Sequence, residues 1–141
     1  MPPKTKKETV QWTYNGKIID HIDKTPPNSF AFIYMITLED GRYYIGKKYM
    51  WKPNYTSGKN KGISKGQYSW QTYCSSSVEL KKLIKEGVKY KKEILLFTFS
   101  RAETTYSETK EILCGSHLTN PKCLNYWIKA TIYSKHLTPN S

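Results

Sequence analysis

Two tyrosines ten residues apart, Tyr34 and Tyr44, lie on the apolar runs of FAFIYMITLEDGRYYIGKKYM, residues 30–50, and Gly46, Lys47 and Lys48 follow the second of them at once. A phenol next to an ammonium group is a candidate proton acceptor, because nearby positive charge favours the phenolate and lowers its pKa. Gly46 gives a strand position that another backbone or a ligand can approach closely. The phenols work together only if they share a face of the hairpin, and the turn decides that. A two-residue Asp40-Gly41 loop pairs Glu39 with Arg42 and sets Tyr34 and Tyr44 on opposite faces. A three-residue Glu39-Asp40-Gly41 loop pairs Leu38 with Arg42, gives Gly41 the left-handed position of a bulged turn, and sets both phenols on one face.

The substrate must be anionic to suit the rest of the chain. Across 141 residues the net charge is +12, which makes a polyanion the expected partner through steering and counterion release. Between Gly41 and Val78 stand seven basic residues and no acidic one: Arg42, Lys47, Lys48, Lys52, Lys59, Lys61 and Lys65. The segment 47–67 is rich in Gly, Lys, Ser and Asn and reads as a long, flexible basic loop that clamps phosphates. No stretch is apolar enough to span a membrane, and Met1 to Lys7 lacks the apolar core of a secretory signal. Three cysteines, Cys74, Cys114 and Cys123, cannot all pair and point to a reducing, cytoplasmic compartment. Cys114, His117 and Cys123 cluster in sequence, but without a C-x-x-C pair they read as ordinary buried thiols rather than a zinc site.

The elements that must position the tyrosines follow from pattern. Residues 1–29 form a basic tail and an N-terminal hairpin, with VQWTYNGKIIDHI alternating around the Asn15-Gly16 turn. The segment 30–133 carries the main domain, and 134–141 a C-terminal tail. Ser76 with Glu79 makes a capping box for a helix whose apolar side holds Leu80, Leu83 and Ile84, stopped by Gly87. KKEILLFTF is a central strand by its continuous apolar run. Ser100 with Glu103 opens a second helix to about Leu113, with Gly115 beyond it. CLNYWIKATIY is a last strand or helix. The fold class is α+β: a small antiparallel β-sheet flanked by helices, all on one side of it.

The spacing FIYMI…YYIG resembles the defining motif of the GIY-YIG nuclease superfamily, with Phe32 at the motif's first glycine. WTYNGKIIDHI, YIGKK, WQTYCSSSVELKKLI, KKEILLF and AETTYSETKEIL fall in the order seen in the Seg group of phage-encoded GIY-YIG endonucleases, covering about Trp12 to Trp127. The resemblance implies a metal-dependent endonuclease that hydrolyses DNA by in-line attack of water, as a monomer or a transient dimer on DNA. It implies Tyr34 as general base, Tyr44 as the group orienting phosphate or water, Glu108 as ligand of a single Mg²⁺ or Mn²⁺, and Asn125 as the residue that helps close the site. The group's usual arginine, on the helix after the motif, has no counterpart, so Lys47 and Lys48 are the expected substitutes. Tyr73 and Ser76 are expected beside the substrate, and Cys74 stands where the group shows a glycine. The alternative function is a DNA-binding module on the same fold that does not cut.

Overall fold

A computed structural model describes residues 10–125. The basic tail of residues 1–8, the final segment beyond Asn125 and the tail 134–141 lie outside them. Asn15 and Gly16 both adopt positive φ, 51° and 80°, as a two-residue hairpin turn requires, and join β1 (Trp12–Tyr14) to β2 (Lys17–Ile18). The quoted stretch forms β3 (Ala31–Leu38) and β4 (Tyr43–Tyr49). The run KKEILLFT lies within β5 (Tyr90–Thr98), which sits in the middle of the five-stranded order β2-β1-β5-β3-β4. Every neighbouring pair is antiparallel except β1 and β5, which run parallel with Trp12 opposite Lys92. The expected antiparallel sheet is thus present, with β1–β5 as its one parallel pair of strands. No hairpin joins β1 to β5, so no tight turn forces their directions to oppose.

The β3–β4 turn takes the three-residue form. Leu38 N–H donates to Arg42 O at 2.7 Å, Gly41 N–H donates back to Leu38 O at 3.0 Å, and Gly41 has φ 92°. Ile36 thus stands opposite Tyr44 and Tyr34 opposite Gly46, so both phenols share a face.

Helices cover opposite faces of the sheet rather than one. Leu80 of α1 (Val78–Lys85) packs with Trp12, Phe32, Tyr34, Ile36 and Trp70, whereas Ile112 of α2 (Arg101–Cys114) packs with Ile33 and Ile45 on the other side. The cause lies in β3: Phe32, Ile33 and Tyr34 are all fully buried, so both sides of the strand need an apolar partner. The cap of α1 also moves by one residue. Ser77, not Ser76, accepts from Leu80 N–H at 3.2 Å, because Ser75 turns the chain with φ 125° and its Oγ accepts from Ser77 N–H. Ser100 does cap α2, accepting from Glu103 N–H at 3.1 Å, and the Glu103 carboxylate reaches back to Phe99 N–H.

The basic loop is not structureless. Trp51 bridges to Gln67, Asn54 to Ser64 and Tyr55 to Lys61, and Lys52, Tyr55 and Lys65 donate backbone hydrogen bonds across it. It is a narrow two-armed excursion whose arms satisfy each other's backbone groups. The thiols are not uniformly buried either: Cys123 is buried, Cys74 partly so, and Cys114 is exposed.

Lys92 is a charge inside this core. It is 1% exposed, its Nζ donates to Gln71 O at 3.2 Å, and it lies 4.3 Å from the Trp12 ring centroid. Burial lowers its pKa to about 8, against an upward pull from Cys74. A lysine that releases its proton more readily in the folded chain binds fewer protons there than when unfolded. Wild-type stability should accordingly rise between pH about 8 and the unfolded lysine value of about 10.4, and Lys92→Met should remove that rise in urea titrations. Ser77→Ala should cost about 1 kcal/mol in the same titrations, whereas Ser76→Ala should leave stability nearly unchanged.

Candidate active site

The site begins at the cross-strand pair Tyr34–Gly46. A Cβ built on Gly46 would lie 2.6 Å from Tyr34 Cζ and 2.9 Å from Tyr44 Cε1, and closer still to the Tyr34 hydroxyl. Glycine is thus needed at position 46 because the chain's own phenol occupies the space a side chain would take. Tyr34 is fully buried, between Trp12 at 5.2 Å, Tyr73 at 6.0 Å and Tyr44 at 6.3 Å between ring centroids. Ser75 and Tyr73 approach its hydroxyl, yet neither reaches hydrogen-bond geometry, and the oxygen has no hydrogen-bond partner among the described residues. Such a group costs about 1–3 kcal/mol, which an incoming oxygen would recover.

The electrostatics differ from the expected lysine-lowered phenol. Burial raises the Tyr34 pKa well above the ordinary tyrosine value, with Tyr73 and Tyr44 adding to it. Neither neighbouring lysine counters this, one because of strand alternation and the other because it is engaged by aromatic rings. Lys47 stands opposite Ile33 and turns to the α2 face, where its Nζ donates to Thr105 Oγ1 at 3.2 Å. Lys48 is on the phenol face, but its Nζ rests 4.3 Å and 4.6 Å from the centroids of the Tyr73 and Tyr68 rings. Its own pKa is lowered by burial. Tyr44 is likewise raised by burial, eased by the Ser76 hydroxyl and raised further by the Glu108 carboxylate.

Glu108 falls on the sheet-facing stripe of α2, between the buried Thr104 and Ile112. Burial raises its pKa, while the Lys47 ammonium and backbone N–H draw it down. Its charge is therefore only partly compensated. Among the described residues no three His, Cys, Asp or Glu side chains gather as a ligand cluster. A half-buried carboxylate of this kind fits a hard divalent cation that takes one protein oxygen and completes its shell with water and substrate oxygens.

Asn125 acts on the backbone. Ile45 N–H donates to its Oδ1 at 2.9 Å and its Nδ2 donates to Ile45 O at 2.8 Å, so the side-chain amide pairs with β4 as a neighbouring strand would. Residues 122–124 extend the same edge through Tyr43 N–H to Lys122 O and Leu124 N–H to Tyr43 O. Asn125 thereby fixes the residue between Tyr44 and Gly46.

Of the other expected residues, Tyr73 lies against Tyr34, and Ser76 is exposed beside Tyr44. Arg42 is engaged at the turn by Asp40, with Nη2–Oδ2 at 2.8 Å and Nε–Oδ2 at 2.9 Å. Lys52 and Lys65 lie 5.9 Å and 5.5 Å from the Tyr68 and Tyr55 ring centroids, and Lys59 and Lys61 are exposed near the tip of the excursion. Sequence reasoning passed over Tyr49 and Arg101. The Arg101 guanidinium carbon lies 4.7 Å from the Tyr49 centroid, and the Lys47 ammonium shares that ring at 5.9 Å. The available signal was spacing: Arg101, Thr105 and Glu108 recur at one helical face, opposite a strand reading Lys47-x-Tyr49.

A mixed five-stranded sheet covered on both faces, with two phenols against a strand glycine and a lone helical carboxylate, defines an α+β domain built around one edge strand. A family model described as "Putative endonuclease segE, GIY-YIG domain" matches residues 12–131, and the chain belongs to that family. Members of the wider GIY-YIG group are generally dependent on a divalent metal. Compared with curated proteins and with solved structures, the chain has no match.

The Tyr34–Gly46 contact should show as coupling. Gly46→Ala should cost about 1–3 kcal/mol, and the same change in a Tyr34→Leu background should cost much less, measured as a double-mutant cycle in urea.

Proposed function

We propose that the protein is a metal-dependent DNA endonuclease of the homing type, cutting phosphodiester bonds by in-line attack of water at the Tyr34–Tyr44–Glu108 site. The observation that carries this reading is a partly compensated carboxylate, Glu108, acting electrostatically on the phenol of Tyr44, which packs against a buried tyrosine whose hydroxyl lacks a partner among the described residues. The family membership agrees with it. When bound at Glu108, Mg²⁺ or Mn²⁺ supplies Lewis-acid charge neutralisation at the phosphate.

The chain's own groups do the remaining work. Tyr34 enters as the neutral phenol, since burial disfavours its phenolate, and its free hydroxyl holds the attacking water or a phosphate oxygen by hydrogen bonding. Taking the water's proton requires the phenolate, so that step grows with rising pH. Tyr44, steadied by Ser76, orients the same phosphate. Lys47 and Lys48 offset its charge from the two faces of β4 as point charges rather than a planar fork. Asn125 is a positioning residue that holds Ile45. Lys52, Lys59, Lys61 and Lys65 bind phosphates away from the cut. One such site cuts one strand, so a double-strand break needs a second copy or a second nick.

The test compares wild type with Glu108→Gln on supercoiled DNA with Mg²⁺, Mn²⁺ or EDTA, and follows melting alongside. Cleavage should need metal and disappear in Glu108→Gln, and Tyr34→Phe should lose about 10²- to 10⁴-fold. Because burial makes the folded carboxyl hold its proton more tightly than the unfolded one, stability falls as pH rises through the raised Glu108 value. Metal-free Glu108→Gln should therefore melt higher than wild type at neutral pH, an advantage lost in acid. Divalent metal should raise the melting temperature of wild type alone. DNA retardation without cleavage, unchanged in Glu108→Gln, would leave only the binding module.

A further inference from the structure

Where β3 begins and β4 and β5 end, an open cleft of about 560 Å³ is lined by Phe30, Trp51 and Phe99 together with Pro26, Pro27 and Asp23. Phe99 is 49% exposed, although it follows directly on a strand whose end is buried. The two prolines make one wall stiff before any ligand arrives. The cleft continues into the candidate active site through a line of contacts. Phe30 meets Tyr49 at 5.4 Å between centroids, Tyr49 carries the Arg101 guanidinium and the Lys47 ammonium, and Lys47 bonds to Thr105 one turn before Glu108.

Arg101 makes no ion pair with a described residue, in contrast to Arg42. An exposed guanidinium over an aromatic ring, two residues along the chain from Phe99 of the cleft wall, matches with that cleft the two halves of a nucleotide: an anionic phosphate and a planar base. Stacking surfaces of this kind accept bases that have left the helix, since a paired base offers no free face. Asp23 of the cleft lining can accept from a base amino group.

Resting on the nuclease reading above, we propose that this cleft is a nucleotide subsite that takes one unpaired base, with Arg101 holding its phosphate, so that the enzyme prefers DNA carrying an unpaired nucleotide near the cut. Seven residues of helix separate Arg101 from Glu108, about 10.5 Å of axis. A target that carries a bulge, mismatch or branch is thus held more tightly than the same target fully paired.

The experiment measures binding of the full chain in EDTA to three duplexes of one sequence: unmodified, with a paired 2-aminopurine, and with an extra unpaired 2-aminopurine. The unpaired probe should bind about 5- to 150-fold more tightly than the others, with its fluorescence quenched by stacking. Phe99→Ala should abolish both the preference and the quenching, and Phe99→Tyr should restore them. Arg101→Ala should weaken the unpaired probe most and reduce its log–log salt slope by about 0.9. Equal affinity for the three probes, or a preference that survives Phe99→Ala, overturns the subsite, and an unchanged salt slope in Arg101→Ala overturns its phosphate half. None of these readings needs cleavage. A chain that prefers the unpaired probe but cuts nothing with metal would defeat the nuclease reading and leave the subsite standing. Cutting of all three duplexes at equal rates would do the reverse.

Discussion

The packing of Tyr34 onto the bare backbone of Gly46 is the contact on which the rest of the site depends. It works only in the register set by the three-residue turn, and a slip of one residue would send one phenol to the wrong face. Once seated, Tyr34 has no room to turn away, because Trp12, Phe32, Tyr44 and Tyr73 surround its ring. The aromatic richness of the chain is then explained in part: rigid rings hold another ring with few rotatable bonds, at low entropic cost. The unpaired hydroxyl is the destabilising consequence, and it persists because the packing around it is over-determined.

β4 divides the positive charge between the two sides of the sheet. As an edge strand it presents Lys48 to the phenol side and Lys47 to the helix side within one dipeptide, and each ammonium lies against aromatic faces that hold it without neutralising it. An open strand edge would ordinarily invite pairing with another chain. Here, among the described residues, Asn125 and the backbone of residues 122–124 occupy it as far as Ile45.

Local chemistry was legible in the sequence wherever one short stretch decided it. The Asn15-Gly16 turn, the central placing of β5 and the Ser100 cap each rest on residues within a few positions of one another. The hairpin turn was legible as a choice of two, and the spacing of the phenols showed which choice would matter. What depended on depth was not legible. Adjacency of Lys47 and Lys48 to Tyr44 suggested a lowered phenol pKa, whereas the folded chain buries Tyr34 and raises it. Lys92 was not singled out within KKEILLF, although its alternation with Ile94 already placed it on an inward face. The aromatic cleft was invisible for a different reason: Phe30, Trp51 and Phe99 come from three strand ends far apart in sequence and meet only through the sheet.

The orientation of α2 is the last constraint, and it is set away from the chemistry. Thr98 at the end of β5 and Thr104 on the first turns of α2 are both buried and share a hydrogen bond of 2.7 Å, while Thr104 also bonds to Ser100 O at 2.6 Å. These bonds tie the helix to the strand before it and fix its rotation about its axis. With Thr104 pinned, the 3.6-residue period carries Glu108 and Ile112 onto the same inward stripe, so that Ile112 packs among Ile33 and Ile45 and Glu108 meets β4 at Lys47. Rotation by a single residue, about 100°, would carry the carboxylate off that stripe and bring a neighbour in its place. A hydroxyl pair in the core thus decides where the Glu108 carboxylate points, and apolar packing at Ile112 holds it there.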